Sequence, residues 1–253
     1  MEYTRTRFWS RTLTHWKHQI PGQLQPSRYF STKRPKTVLE DIKGMTVEPI
    51  RESDYLKTLK LQFTQNGRKR YRDVARVHAS IMVVLYNRTR KVIVLVRQFR
   101  PAVFVCGAIP STADNSIESL NSIDWSKVPL ETGITLEIPG GIIDENMTAA
   151  EAIKQEVLEE CGYDVPLSSF ENIGEFRTST GVSGDAQTMF YAECTDDMKV
   201  SEGGGKPTNG EFVEVVEMSV PDVRKFINQK VVNANCALLI GMQWFMYFKA
   251  GKI

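Results

Sequence analysis

Short runs of hydrophobic residues, separated by polar turns, recur from about residue 43 and predict a body rich in β-strands. The runs 79–86 (ASIMVVLY) and 92–96 (VIVLV) are almost wholly apolar and branched, which is typical of strands buried on both faces. Asn66-Gly67 predicts a tight hairpin turn between two less apolar strands. The other predicted strands are residues 46–50, 56–64, 71–77, 135–138, 170–176, 188–193 and 212–217.

Longer segments with helical spacing of apolar residues predict three helices, at about 149–161, 221–229 and 233–249. Residues 106–131 are dominated by Gly, Pro, Ser, Asp and Asn, which predicts an inserted surface loop. This order of elements predicts the α/β (α+β) class, with one domain over residues 43–253 in which a mixed β-sheet is sandwiched between helices. The strands of residues 43–78 are expected to form a small N-terminal β-region.

The overall composition narrows the class of protein. Of the 253 residues, 42% are hydrophobic and 25% are charged, which indicates a folded domain. No stretch approaches the roughly 20 unbroken apolar residues of a membrane-spanning helix, so we expect no membrane partner. The four cysteines are far apart, which argues against a zinc knuckle or a disulfide-rich fold and favours a reducing compartment. They are Cys106, Cys161, Cys194 and Cys236.

Positive charge is concentrated at the start of the chain. Residues 1–39 carry eight Lys or Arg and one acid, a net charge of +7, so residues 40–253 carry −5 although the whole chain carries +2. An acidic body argues against nucleic acid as a partner. The basic segment 1–36 has the composition of a mitochondrial presequence, and residues 28–31 (RYFS) resemble a matrix-protease site. We therefore expect a mitochondrial (matrix) location; the alternative is a disordered basic arm on a cytoplasmic protein.

The most informative segment, residues 140–163, combines a glycine loop with a helix whose two ends are specified. Thr148 and Glu151 have the spacing of a capping box, which predicts the start of the helix. Gly162 supplies a left-handed stop. Apolar residues recur along one side of the helix, so that side is expected to pack against the core.

Three glutamates of this helix, Glu156, Glu159 and Glu160, fall on the side next to the apolar one. Like charges at this spacing repel each other, and no Lys or Arg of the helix lies three or four positions away to relieve them. A hard divalent cation bound through carboxylate oxygens would neutralise them, which suggests Mg²⁺, with Mn²⁺ possible. The alternative is a solvated acidic helix face.

The segment 141–163 resembles the Nudix box, G-x5-E-x7-R-E-U-x-E-E-x-G-U with U apolar, and aligns with it without gaps. The matching functional positions are Glu156, Glu159, Glu160 and Gly162. Two positions depart: Met147 replaces the first Glu of the motif, and Gln155 replaces its Arg. In the family these two residues usually form an ion pair with each other. Because both are replaced here, neither charge is left without its partner. The resemblance implies a Nudix fold and a metal-dependent pyrophosphohydrolase.

Further stretches resemble those Nudix hydrolases that act on UDP-sugars, namely 94–103 (VLVRQFRPAV), 178–193 (TSTGVSGDAQTMFYAE), 203–205 (GGG) and 210–216 (GEFVEVV). The resemblance implies a magnesium-dependent homodimer that hydrolyses a nucleoside diphosphate sugar, above all UDP-glucose, to UMP and glucose 1-phosphate. Two alternatives stay open. One is an ADP-ribose pyrophosphatase of the same architecture, and the other is a catalytically silent Nudix fold that binds a nucleotide or a partner protein.

The same resemblance implies a set of metal ligands. Glu156 and Glu160 would bind the metal, with Glu159 as a further ligand or supporting carboxylate; these three form the catalytic set. The carbonyl of Gly140 and the carboxylate of Glu211 would complete the site. The acid that serves as general base in some relatives is replaced here by Asn209, which cannot accept a proton at neutral pH, so Glu159, Glu202 and a metal-activated water are alternative bases.

The resemblance also implies residues that contact the substrate. Arg100 would hold a phosphate or the sugar through a bidentate guanidinium contact, and Arg97 could assist. For both arginines the alternative is surface charge at the end of a strand. The loop 181–187 is expected to cover the substrate, with Gly181, Gly184 and Gln187 near it, although a plain flexible loop would have the same glycines.

Overall fold

A computed structural model describes residues 42–109, 116–144 and 146–252 of the chain. The predicted targeting segment, residues 1–36, lies outside the described residues. Within them, no helix has both the length and the apolar character needed to cross a membrane.

Nine strands and five helices make up the described part of the chain, together with short 3₁₀ turns. The strands are β1 (Lys57–Gln65), β2 (Arg68–Arg76), β3 (Ser80–Asn87), β4 (Val92–Phe99), β5 (Ile134–Glu137), β6 (Gly140–Ile142), β7 (Glu171–Arg177), β8 (Ala186–Cys194) and β9 (Val213–Ser219). The helices are α1 (Pro101–Ala108), α2 (Ile117–Asn121), α3 (Ala149–Cys161), α4 (Val220–Phe226) and α5 (Cys236–Phe248).

Strands β3 to β9 form one seven-stranded mixed sheet. Its centre is β3, which pairs in parallel with β8, while the other pairs are antiparallel. β3 and β4 pair only over 85–87 and 92–94. Beyond that point the two strands separate: β6 continues the sheet on β3, and β5 continues it on β4. The link from β5 to β6 therefore crosses the wedge-shaped gap that opens between β3 and β4.

The two faces of this sheet bury separate hydrophobic cores, because successive residues of a strand point to opposite faces. On one face, Val83 and Val94 pack with Ile153 and Val157 of α3. On the other face, the alternate strand residues, such as Val84 and Ile93, pack against α4 and α5. The residues of α5 in this core include Leu238, Met242 and Phe245. The prediction of a mixed sheet between helices is confirmed, and the two apolar runs are buried over residues 81–86 and 93–96.

The hairpin β1–β2 forms a separate two-stranded sheet, and the predicted Asn66-Gly67 turn joins its strands. Both turn residues have positive φ, 51° and 72°, which a two-residue hairpin loop of this kind requires. One backbone hydrogen bond, from Ala75 N–H to the carbonyl of Val182, connects the hairpin with the loop between β7 and β8.

Several predictions of local structure are wrong. Residues 46–50 form no strand, and the strand β6 was not expected. The predicted loop at 106–131 contains the end of α1, all of α2 and two 3₁₀ turns in its described part. Helix α1 was not predicted because its apolar sequence PAVFVCGA resembles a continuation of the preceding strand. In the structure, the proline in its first turn begins a helix.

Both predicted ends of α3 are confirmed. The Thr148 side chain accepts a hydrogen bond from Glu151 N–H, and the Glu151 carboxylate accepts from Thr148 N–H at 2.9 Å, which completes a capping box. Gly162 ends the helix with φ of 77°. The start and rotation of the helix are thus fixed, and with them the direction of its glutamates.

Candidate active site

Where β3 and β4 separate, β6 brings Gly140 and Gly141, the predicted glycine loop, against the carboxylates of α3. Gly140 N–H donates to Glu160 Oε2 at 3.0 Å. At Gly141 a Cβ atom would lie 2.2 Å from Glu156 Oε1, so a side chain at this position would displace that carboxylate. The glycines thus let the β6 backbone approach two side chains of α3 closely. Gly140 was predicted to contribute its carbonyl, and the contact that the structure gives is from its N–H.

Three carboxylates meet at this point: those of Glu156, Glu160 and Glu211, with one oxygen of each within 4.8 Å of the others. Glu160 is only 1% exposed, and its Oε1 is buried with no hydrogen-bond partner among the described residues. A buried carboxylate oxygen without a partner is costly unless a cation binds it. The three side chains come from positions 156 to 211 of the sequence, yet they converge as the resemblance implied.

Burial and mutual repulsion raise the pKa values of this group. Burial is the main cause for Glu156, followed by the charges of Glu211 and Glu159, and together they raise its pKa to about 7. Burial again comes first for Glu160, followed by the charge of Glu156, and its pKa lies well above the ordinary value. A bound cation would remove this repulsion.

The donor set suits a hard divalent cation. All three side chains offer carboxylate oxygens, and the described residues near them add no imidazole or thiolate to the group. Oxygen-only ligation is what Mg²⁺ and Mn²⁺ prefer, whereas zinc favours nitrogen and sulfur. The residues therefore fit the metal that the resemblance implies.

Glu159 lies beside this group but has other partners. Its Oε1 accepts hydrogen bonds from Lys206 Nζ and from Gln155 Nε2, both at 2.7 Å. The lysine comes from the loop before β9, so the relief of charge that α3 itself lacks is supplied from outside the helix. Gln155, which replaces the arginine of the motif, binds one of the motif's own glutamates.

The loop that carries Lys206 is held to the end of α3 by consecutive glycines. Gly204 and Gly205 donate their N–H groups to the carbonyls of Glu160 and Glu159, at 2.9 and 3.1 Å. At Gly203, φ is 73° and a Cβ atom would lie 2.3 Å from the Glu160 carbonyl oxygen. We call residues 203–205 the glycine strap. It satisfies two carbonyls of the last helical turn, which no helix can satisfy internally.

The strap also orients the next residues of the loop. Lys206 N–H donates to Glu211 Oε2 at 3.2 Å, which turns this carboxylate toward Glu156 and Glu160. Lys206 was missed at the sequence level. The signal that could have revealed it is its place directly after three glycines and five residues before Glu211.

The two arginines of the RQFR segment lie on opposite faces of the sheet. Arg100 binds Glu137 through Nε at 2.8 Å and Nη2 at 2.6 Å. Arg97 binds Glu214, its cross-strand neighbour on β9, and shares the parity of Ile93, on the face away from α3. Strand geometry thus separates two residues that the sequence placed together.

Glu137 was also missed at the sequence level. It is 3% exposed, and besides Arg100 it accepts hydrogen bonds from Thr135 Oγ1 at 2.6 Å and from Gln98 Nε2 at 3.3 Å. A charged residue that ends a strand just before the glycine loop was the available signal.

The loop between β7 and β8 carries the remaining residues predicted to contact substrate. Gly181 and Gly184 are exposed. Gln187, in β8, pairs with Ser80 at the start of β3, and its Nε2 lies 3.0 Å from Ser80 Oγ. Ser80 in turn pairs with Ile142 of β6, so Gln187 lies at the same end of the sheet as the glycine loop.

The alternative bases occupy different surroundings. Asn209 is exposed in a short 3₁₀ turn, and Glu202 is exposed at the start of the loop that carries the glycine strap. Glu159 is mostly buried, with 19% of its side chain exposed, and is bound to Lys206.

A mixed sheet between helices, whose glycine loop and following helix assemble a carboxylate site, defines a Nudix hydrolase. No family model matches the chain. Comparison with individual proteins nevertheless identifies its family. Uridine diphosphate glucose pyrophosphatase NUDT14 of Bos taurus is 32% identical to it over 215 residues, which span 82% of this chain and 95% of the relative. The chain belongs to the Nudix hydrolase family.

Two other relatives are also pyrophosphatases. The uridine diphosphate glucose pyrophosphatase NUDT14 of Mus musculus is 29% identical over 212 residues, with 82% of this chain and 95% of the relative covered. A GDP-mannose pyrophosphatase of Cronobacter sakazakii is 31% identical over 159 residues, which cover 62% of this chain and 69% of the relative. All three relatives are pyrophosphatases named for a nucleoside diphosphate sugar.

Proposed function

We propose that the protein hydrolyses the diphosphate bond of a nucleoside diphosphate sugar, with UDP-glucose as its principal substrate and UMP and glucose 1-phosphate as products. The observation that carries this proposal is the group of Glu156, Glu160 and Glu211, in which a buried oxygen of Glu160 has no partner in the described part of the chain. The relatives that cover most of this chain are named for UDP-glucose, which favours a uridine nucleotide over a guanosine one.

Magnesium is the proposed metal, with manganese as a substitute. When bound, it supplies the positive charge that polarises a water molecule and the diphosphate oxygens. Glu156, Glu160 and Glu211 would hold it, and Gly140 N–H fixes one oxygen of Glu160 for that purpose. Because the ligands are pre-positioned by two glycines and a capped helix, little reorganisation is needed on binding.

The protein's own residues bind and orient the substrate. Arg100 would contact a non-bridging phosphate oxygen, because its side chain is 43% exposed and its partner Glu137 lies on the face of the sheet that carries α3. Water adds to one phosphorus, and the bridging oxygen leaves with the other phosphate group. Glu159 would orient that water or accept its proton after exchanging its hydrogen bond with Lys206.

Substrate choice can be measured directly. The purified protein is assayed with UDP-glucose, GDP-mannose and ADP-ribose in separate reactions with Mg²⁺, and kcat/KM is compared. We expect the highest value for UDP-glucose. A preference for ADP-ribose of about tenfold or more would replace the proposed substrate, and a lack of hydrolysis of all three would refute the proposed function.

We further propose that the enzyme acts as a homodimer. Exposed apolar side chains support this: Leu59, Leu61 and Tyr71 of the hairpin β1–β2 are 51%, 54% and 52% exposed, and Tyr247 of α5 is 81% exposed. Surfaces of this kind are typical of subunit contacts. Light scattering after size exclusion is expected to give about twice the chain mass of 28.7 kDa, less any segment removed.

A further inference from the structure

We propose that Glu137 is a positioning residue for the reaction, which fixes the guanidinium of Arg100 in the orientation that the diphosphate needs. The inference rests on the proposed function and goes beyond it, because Glu137 itself touches neither metal nor substrate. It follows from how this carboxylate is held and from what Arg100 faces.

Glu137 is held from several sides. Its two oxygens accept four hydrogen bonds in all: two from Arg100, one from Thr135 and one from Gln98. It is 3% exposed, and although burial opposes ionisation, the hydrogen bonds and charge of Arg100 keep its pKa below the ordinary value. A buried carboxylate with this set of donors is ionised and cannot rotate freely.

Among the described residues, Arg100 is held along one edge of its guanidinium only. The bonds to Glu137 engage Nε and Nη2, and 43% of the arginine side chain stays exposed. Hydrogen bonding to Glu137 is the first cause of its raised pKa, while Glu160 and Glu211 contribute through their charges. The guanidinium is therefore bound to the buried Glu137 along one edge and partly exposed, so that it can bind a phosphate.

The position of this pair in the sheet explains why it can serve the site. Glu137 pairs with Val96 across β5 and β4, and Val96 packs against α3. Glu137 is therefore on the site face of the sheet. A long arginine side chain carries about 2 kcal/mol of rotamer entropy, so a fixed guanidinium binds a phosphate better than a mobile one.

The other arginine of the segment supplies a matched control. Arg97 is bound by Glu214, whose side chain is 10% exposed, but this pair lies on the opposite face of the sheet. Replacing Glu214 therefore removes the carboxylate partner of an arginine in the same RQFR segment, on the face of the sheet away from α3.

The test is a double-mutant cycle of Glu137→Gln and Arg100→Met, read as kcat/KM for UDP-glucose. We expect Glu137→Gln alone to lower kcat/KM about 10- to 100-fold, the range typical of residues that orient a functional group. In the Arg100→Met background the same change should cost less than about twofold, since there is no guanidinium left to position. Glu214→Gln should stay within about twofold of the wild type.

Equal costs of Glu137→Gln in both backgrounds would overturn the proposal, as would an equal loss in Glu214→Gln, because either result means general damage to the sheet. If Glu137→Gln does not fold, Thr135→Val replaces it in the cycle, since it removes only one hydrogen bond to Glu137. The dissociation constant of inorganic pyrophosphate with Mg²⁺ gives the same comparison without turnover. Wild-type protein that hydrolyses no sugar nucleotide would refute the proposed function separately.

Discussion

At the scale of single residues, Glu160 is the centre of the site. One of its oxygens is fixed by Gly140 N–H, and the other is buried with no partner in residues 42–109, 116–144 and 146–252. We expect Glu160→Gln to lower kcat by about 10³-fold or more, because the metal loses a charged ligand. Stability should not fall, since a repelled buried charge is removed.

Steady-state kinetics and thermal unfolding measure the two effects of this substitution. Glu118→Gln, at an exposed position of α2, is the control and should change neither. Near-normal hydrolysis by Glu160→Gln would mean that the reaction takes place elsewhere on the protein.

The pH dependence of stability follows from Glu156. Its pKa is raised from 4.5 to about 7 in the folded protein without metal, so between these values the folded state binds more protons than the unfolded state. Stability therefore falls as pH rises from about 5 to about 8, and Glu160 acts in the same direction. Mg²⁺ favours the ionised carboxylates, so the gain in melting temperature on adding it should be larger at pH 8 than at pH 5.5.

Differential scanning fluorimetry in EDTA and in Mg²⁺ measures this dependence. Glu156→Gln should flatten the pH profile in EDTA. A wild-type profile in EDTA that rises over the same pH range would contradict the burial of these carboxylates.

Residue-level prediction reached furthest where one segment holds the residues. The spacing within α3 singled out Glu156, Glu159 and Glu160, the resemblance implied Glu211, and the structure brings Glu156, Glu160 and Glu211 together. Glu137 and Lys206 were missed because their roles depend on a strand pairing and on a loop that returns from more than 40 residues away. Single-sequence patterns contain no information about such contacts.

At the scale of elements, the glycine strap is the part whose sequence is most constrained. A methyl group at Gly203 would lie 2.3 Å from the Glu160 carbonyl oxygen at a φ of 73°. We expect Gly203→Ala to cost about 2 kcal/mol or more and to lower activity as well, because the strap orients Lys206 and Glu211.

The matched control for the strap is Gly107→Ala in α1, where an added Cβ meets nothing within 4 Å and φ is ordinary. It should be neutral or slightly stabilising. Chemical denaturation compares the two variants, and equal stability of both would show that the strap tolerates a side chain.

Elements with a strong periodic pattern were predicted well, and those defined by tertiary contacts were not. The bounds of α3 agree with the prediction because both caps are in the sequence. β6 has only three residues, two of them glycine, and exists because the wedge between β3 and β4 gives it a partner. No pattern in such a short segment could predict it.

At the scale of the whole molecule, the basic residues 1–36 contrast with the acidic remainder of the chain. We propose that they direct the protein to mitochondria. Fusion of residues 1–36 to a fluorescent protein should give a mitochondrial signal, because a basic amphipathic segment is drawn by receptors and membrane potential. A fusion in which Arg5, Arg7 and Arg11 are replaced by Gln is the control and should be diffuse; a diffuse signal from the unchanged segment would refute the proposal.

The class of fold followed from the order of strands and helices, but the arrangement of strands in the sheet did not. The parallel pairing of β3 with β8 joins Ser80 to Gln187, and nothing local to either segment indicates the other. The overall fold was predicted from the resemblance to a family, whereas the residue pattern predicted only the individual strands and helices.

The wide separation of the contributing segments limits when activity can arise during synthesis. Glu156, Glu160 and Glu211 come together only after both α3 and the loop before β9 have been made. Domains form on the ribosome as their segments emerge, at about 5 to 20 residues per second. A nascent polypeptide that stops before Glu211 therefore lacks one of the three carboxylates of the centre.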